Sequence, residues 1–208
     1  HQVRMSNGPA VIAMLAQHGY TDCAHDHIAD DLDELTARLS RHLAEADVLI
    51  LSGGVSMGKA DFVPQVLTEL GVKVVFHKIS QRPGLPMWFG VAAENKLVFA
   101  LPGNPVSTLV CCRQYVIPAL RQASGRLAAA VEYAAITESV TFEPKLTNFL
   151  PVVLGHPHSG ILEATPVRTN TSGDFTALGG TDGYIELARD TTEFDQGRAL
   201  PLHRWFNA

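Results

Sequence analysis

The sequence predicts an α/β domain built on a parallel sheet, followed by a small all-β domain. Three observations carry this. The apolar run Val48, Leu49, Ile50, Leu51 leads into a glycine-rich turn, Ser52-Gly53-Gly54-Val55-Ser56-Met57-Gly58-Lys59-Ala60-Asp61. The run Leu97, Val98, Phe99, Ala100 leads into a second turn, Leu101-Pro102-Gly103-Asn104-Pro105-Val106-Ser107. Helical periodicity then fades near residue 126, and short β-rich runs replace it. Each turn sits where a buried strand should end and a helix begin, the end of an open α/β sheet at which ligands bind.

The elements follow in order. Residues 8–18 read as a helix, with Asn7 as N-cap and Gly19 as the stop. Leu32, Leu35, Leu39 and Leu43 form one stripe of a second helix. Asp30 is its expected N-cap, and Asp31, Asp33 and Glu34 favour the positive end of its dipole. Residues 48–51 form a continuous apolar strand, as in a sheet covered on both faces. Asp61 is placed to cap a helix over 62–70, with Pro64 in its first turn and Gly71 at its end. Residues 72–79 read as a strand and 80–86 as a loop. Residues 87–92 and 97–101 read as two strands joined by a hairpin at Glu94-Asn95-Lys96. Pro105 suits the first position of a helix running to about 123, kinked near Pro118. Alternating strands and helices imply parallel βαβ units. Beyond them, runs at 136–142, 150–154, 161–165 and 184–187 point to a β-barrel or sandwich over 131–208. The domain boundary falls near 125–131, leaving 1–124 as the first domain.

Composition sets bounds. A chain of 208 residues with 46% hydrophobic residues can build packed cores, which argues against disorder. The net charge of −5 is spread along the chain with no long basic run, so there is no nucleic-acid footprint. No stretch approaches the roughly 20 apolar residues of a membrane span. Three cysteines, two of them adjacent at 111 and 112, fit neither a disulfide framework nor a C-x-x-C zinc site. These features point to a reducing, cytoplasmic setting. The chain opens at His1 without Met or signal-peptide character, and is expected to be a fragment.

The first turn admits several chemistries. Its glycines let backbone N–H groups face an anion, and the next helix adds its positive end. Gly53-x-x-x-x-Gly58-Lys59 nearly matches a Walker A loop, but Ala60 stands where a magnesium-binding Ser or Thr belongs. Gly54-Val55-Ser56-Met57-Gly58 matches a nucleophile elbow, with His156, His158 or His203 as the available triad histidines. The third reading is an anion cradle without a nucleophile, and a purely structural turn is the fourth. The second turn narrows the field. Two prolines make it rigid, and it presents an amide followed by a helix N-terminus, which suits a phosphate or a polar ring system better than a triad.

Together the two motifs, S-G-G-V-S-x-G-x-x-D and L-P-G-N-P-V-S, resemble the MoeA family of molybdopterin molybdenumtransferases, which includes the E-domain of gephyrin. MogA/MoaB and CinA-like proteins share the first motif alone. Thr181-Asp182-Gly183-Tyr184 resembles a stretch of the family's C-terminal barrel domain. The resemblance implies a three-layer, MogA/MoaB-like molybdopterin-binding domain and then a β-barrel. It implies insertion of molybdenum from molybdate into adenylated molybdopterin, with release of AMP. Ser52, Gly53, Gly54, Ser56 and Gly58 would hold the pterin or its phosphate. Pro102, Gly103, Asn104, Pro105 and Ser107 would form the facing wall. Asp61 would be catalytic and bind Mg2+, and Asp30 would be a second acid of the cleft. Lys78 and Arg82 would supply positive charge, Arg82 lying in Arg82-Pro83-Gly84-Leu85-Pro86, the counterpart of a K-P-G-K-P segment. The implied partners are a small-molecule substrate, a second copy in a homodimer and other molybdenum cofactor biosynthesis proteins, with no nucleic acid and no membrane.

The departures are specific. Leu85 replaces a lysine, Arg82 replaces another, Lys59 stands where Glu is common, and Pro151 falls where a barrel arginine is common. Family members run to about twice this length, and their upstream strand with its T-G-D-E-L-like segment has no counterpart here. The Leu85 departure would allow a non-catalytic molybdopterin-binding or scaffold module, and the alternative of a different class is a serine hydrolase using Ser56. The pairs His25/His27 and His156/His158 read as loop histidines, and Cys111 and Cys112 as core.

Overall fold

The computed structural model describes residues 5–29, 31–55, 62–158, 160–167 and 175–206. Helix α1 (Asn7–Gln17) and α2 (Leu32–Glu45) precede strand β1 (Val48–Ser52). In α1 the N-cap position is Ser6 and Asn7 lies inside the helix, so Asn7 is not the cap expected of it. In α2 the cap is Asp31, whose carboxylate accepts the Glu34 N–H at 2.8 Å. Asp30, the expected cap, precedes it and lies outside the described residues. Leu39 is buried and Leu35 and Leu43 pack beside it, but Leu32 is exposed, so the apolar stripe begins one turn late.

Helix α3 (Val63–Glu69) leads into β2 (Lys73–His77), β3 (Gln81–Arg82), β4 (Trp88–Val91) and β5 (Leu97–Leu101). The first sheet has the order β1-β5-β4-β2. Only β1–β5 is parallel; β4 runs antiparallel to both β5 and β2. The expected parallel sheet is therefore mixed. The reason is loop length: a parallel connection needs about a dozen residues or more. The β4–β5 link is a tight turn with Glu94 at φ 59° and Asn95 at φ 60°.

Alternate residues of this sheet enter different clusters. Val48, Ile50, Leu97, Phe99 and Leu101 pack with Val11, Met14 and Leu15 of α1. Leu49, Leu51, Val98 and Ala100 pack with Leu39 of α2 and Val66 and Leu67 of α3. Helix α4 (Pro105–Cys111) passes through a π-helical turn, Cys112–Val116, into α5 (Ile117–Ala123). Pro118, where a kink is expected, has no N–H to give the Gln114 carbonyl, and the wider turn accommodates the missing bond.

The remaining strands are β6 (Glu132–Ile136), β7 (Val140–Thr141), β8 (Thr147–Gly155), β9 (Glu163–Pro166), β10 (Gly183–Leu187), β11 (Glu193–Phe194) and β12 (Ala199–Arg204). Strands β8, β9, β6, β12 and β10 pair in that order, and β10 pairs back onto β8, closing a five-stranded barrel. Its core holds Ile136, Val152, Ile185, Leu187 and Leu202. Strand β12 was not anticipated, since Pro201 interrupts its pattern, yet Leu200 and Leu202 alternate inward. The two halves interlock. Strand β3, in what reads as a loop, pairs in parallel with β8 through Gln81–Thr147 and Arg82–Asn148. Phe149, Leu178, Tyr184 and Trp205 of the barrel side join the same buried cluster as Val11, Met14, Val110 and Ile117.

Candidate functional site

Strands β1 and β5 end level with each other, Ser52 opposite Leu101. Their two glycine turns therefore emerge side by side, and they touch. The Gly53 N–H donates to the Leu101 carbonyl at 3.1 Å. A Cβ on Gly103 would lie 3.4 Å from Gly53 Cα, so the close approach leaves little room for a side chain. Gly54, at φ +69°, abuts α3: a Cβ there would stand 2.6 Å from Val63 Cγ2. Where the first turn is described, at residues 52–55, it lies beside the second on one rim.

Asn7 binds the two turns together. Its Nδ2 donates to Ser52 Oγ at 2.7 Å and to the Gly103 carbonyl at 2.9 Å, while its Oδ1 is buried without a partner. Sequence reasoning missed this residue, because a helix-start asparagine carries no local sign of a long-range bond. Thr108, fully buried, was missed too. Its hydroxyl donates to the Pro102 carbonyl at 2.6 Å and lies 3.3 Å from Ser52 Oγ. Asn104 caps α4: its Oδ1 accepts from the Ser107 N–H at 3.1 Å, and Ser107 Oγ lies 3.3 Å from the same atom. Ser107 is buried, Pro105 half-buried, Pro102 buried and Gly103 exposed. The polar side chains of this turn thus look inward, and its backbone forms the surface.

Lys78 lies further along the same rim, and Arg82 lies on β3, paired with Asn148 of β8. The Lys78 N–H donates to the Met87 carbonyl at 2.8 Å, one step beyond the His77–Trp88–Ala100 row. That places Lys78 level with Leu101 and Ser52, two strands from β5, or roughly 10 Å at the usual inter-strand spacing. Lys78 and Arg82 are both exposed. Leu85 is exposed too, an apolar side chain on the loop between them and β4. Asp30, Ser56, Gly58 and Asp61 lie outside the described residues.

Other candidates resolve as structure. Burial pushes the Cys112 thiol up to about 12 and the Cys111 thiol higher still, so both stay protonated inside the core. His203 stacks on Tyr184 and its Nε2 lies 3.2 Å from Glu186 Oε2. Asp26 is held well below the usual carboxylate range by Arg38 and then by His42, a network that ties the loop after α1 to α2. Among the described residues no three His, Cys, Asp or Glu side chains group so as to hold a metal ion.

Comparison with known proteins bears on what this rim is for. Residues 1–122 match a family described as a probable molybdopterin binding domain, and residues 133–205 match the MoeA C-terminal region, domain IV. The chain belongs to the MoeA family. A molybdopterin molybdenumtransferase of Synechocystis is 37% identical over 206 residues, 99% of this chain and 50% of that protein. Its Bacillus subtilis counterpart is 32% identical over 205 residues, 97% of this chain and 47% of that protein. The crystal structure of a molybdopterin biosynthesis MoeA protein from Pyrococcus horikosii matches with a TM-score of 0.76 at 27% identity, covering all of this chain and 49% of that one. The chain spans about half the length of the curated relatives it matches. Both glycine turns, Asn7, Lys78 and Arg82 lie within the part that matches the family described as a probable molybdopterin binding domain. The closed barrel lies in the part that matches domain IV.

Proposed function

We propose that this chain supplies the molybdopterin-binding part of an enzyme that inserts molybdenum from molybdate into adenylated molybdopterin, releasing AMP. The observation that carries this is the pair of glycine turns emerging side by side at the ends of β1 and β5, cross-linked by Asn7. Backbone dominates that surface, which suits a phosphate or pterin edge recognised by amides. Ser52, Gly53, Gly54, Ser56 and Gly58 form the first half of the cradle. Pro102, Gly103, Asn104, Pro105 and Ser107 form the second. Lys78 and Arg82 give the rim its positive charge for the oxyanion, and Asp30 and Asp61 are its acids. Asp61 is the proposed magnesium ligand, because oxygen donors suit that cation, and a bound Mg2+ would balance charge at the phosphates.

The reading extends to organisation. The division is 1–124 and 131–208, the first part a sheet layered between helices. The enzyme works in the cytoplasm as a homodimer, alongside other proteins of cofactor assembly. The test uses the full-length protein with adenylated molybdopterin. Molybdate-dependent AMP release is expected, falling by at least about a hundredfold in Asp61→Ala, the usual scale for losing a group that acts on the transition state. No release from the unaltered protein would overturn the reading. One observation favours a second reading, a binding or scaffold module without turnover: Leu85 offers an exposed apolar side chain where the family carries a lysine. Pterin binding without AMP release would decide for it.

A further inference from the structure

We infer that Gln81 and Tyr115 are a positioning pair that fixes the basic loop 80–86 and so sets how tightly the rim grips its oxyanion substrate. This rests on the reading above that Lys78 and Arg82 face molybdate. Gln81 is 3% exposed, and its sequence context gives it no motif. A buried primary amide is costly unless its donors and acceptor are met. Here Oε1 accepts from the Tyr115 hydroxyl, and Nε2 donates to the Pro83 carbonyl at 2.8 Å and lies 3.7 Å from Cys111 Sγ. One side chain thus joins the residue after Arg82 to the helical layer beneath the sheet.

The surroundings make this tether decisive for the loop. Gly84, at φ +111°, is pressed against the same group: a Cβ would meet Cys111 Sγ at 2.5 Å and Gln81 Nε2 at 2.6 Å. The loop is also held by the Ile79 N–H to the Leu85 carbonyl at 2.9 Å, by the Met87 N–H to the Gly84 carbonyl at 3.1 Å, and by β3 to β8, where Gln81 itself is a paired residue. On the barrel side the pair borders an open hollow of about 180 Å³, lined by Ser80, Gln81, Gln114, Tyr115, Thr147 and Glu186. Tyr115 sits on the π-helical turn, a feature frequent near functional sites. Burial pushes its phenol up to about 12, so the hydroxyl remains a donor through the physiological range. Arg82 lies between the two anchors, paired to β8 by its backbone and adjacent to Pro83.

The experiment titrates molybdate against the full-length protein in two ways, AMP release with adenylated molybdopterin and calorimetric binding of molybdate alone. Gln81→Glu keeps the acceptor but loses the donor to Pro83; Tyr115→Phe removes only the hydroxyl. Each is expected to raise the molybdate KM and Kd about tenfold, the usual scale of one buried hydrogen bond. The KM for adenylated molybdopterin and kcat should stay within about twofold of the parent, a split that general loosening of the fold would not produce. Unchanged molybdate affinity in both variants overturns the inference, as does parallel loss of both substrates. Molybdate binding that weakens in the variants, in a protein that releases no AMP, sustains the inference and sinks the transfer reaction. A parent that neither binds molybdate nor releases AMP overturns both.

Discussion

Asn7 spends both hydrogens of one amide on two turns that lie 45 and 96 residues away in the chain. Replacing it with Ala removes two hydrogen bonds and leaves Ser52 and Gly103 to find other partners, a loss of about 1–3 kcal/mol. The expected result is a lower urea midpoint at unchanged slope, together with weaker ligand binding at the rim. Asn104→Ala removes the α4 cap and should cost about 1 kcal/mol, read from the same denaturation curve. If Asn7→Ala unfolds at the parent's midpoint and binds as the parent does, the cross-link has no energetic role. Asn7 also shows what a residue-level reading misses. Asparagine near a helix start is a sound local sign of a cap, and Asn104 is one. Whether an asparagine caps its own helix or reaches across the fold depends on contacts that its neighbours do not encode. Thr108 and Gln81 were invisible for the same reason: each is polar, buried and justified only by distant partners.

At the scale of elements, the readable parts were those with local causes. Strands β1 and β5 announce themselves as apolar runs ending in turns. Helix α2 follows from its leucine spacing and acidic start, although its cap is Asp31. Asp31→Ala should therefore cost about 1 kcal/mol through the lost bond to the Glu34 N–H, measured as a drop in thermal midpoint. A parent-like midpoint would show that some other group takes over the cap. Strand direction was less legible, because adjacency in a sheet is a tertiary fact. The Glu94-Asn95-Lys96 hairpin was legible and joins β4 to β5 as expected, but alternating strands and helices suggested parallel pairing for the rest of the sheet, whereas β2 runs antiparallel to β4. Strand β3 has two residues and exists only because β8 lies beside it. No periodicity can be seen in so short a segment.

At the scale of the molecule, the glycine rim and the barrel share structural consequences. The cluster under α1 and α4 includes Tyr184 and Trp205, so the barrel's edge completes the core of the α/β half. Arg113 Nε donates to the Arg204 carbonyl at 2.7 Å, and the Tyr184 hydroxyl donates to Gln114 Oε1 at 3.1 Å. At the end of α1, His18 is 5% exposed and its Nε2 donates to the Trp205 carbonyl at 3.2 Å. Burial lowers the His18 pKa below its ordinary 6.5, against the pull of that carbonyl, and the charges of Arg113 and Arg121 lower it further. The folded state therefore keeps this imidazole neutral at pH values where the unfolded chain has begun to take up a proton. Between the folded value and 6.5 the unfolded state binds more protons, so stability rises with pH through that window. The contribution is complete above 6.5 and is lost as pH falls through the folded value. Because the histidine stands at the junction of the halves, its protonation should weaken both together, giving one transition by far- and near-ultraviolet circular dichroism. The comparison that isolates it is His18→Gln, which keeps an amide donor for Trp205 but cannot titrate. Parent stability should hold level relative to the variant above pH 6.5 and fall relative to it below. Equal slopes in the two proteins would remove His18 from the account, and separate transitions for the halves would dissolve the shared core.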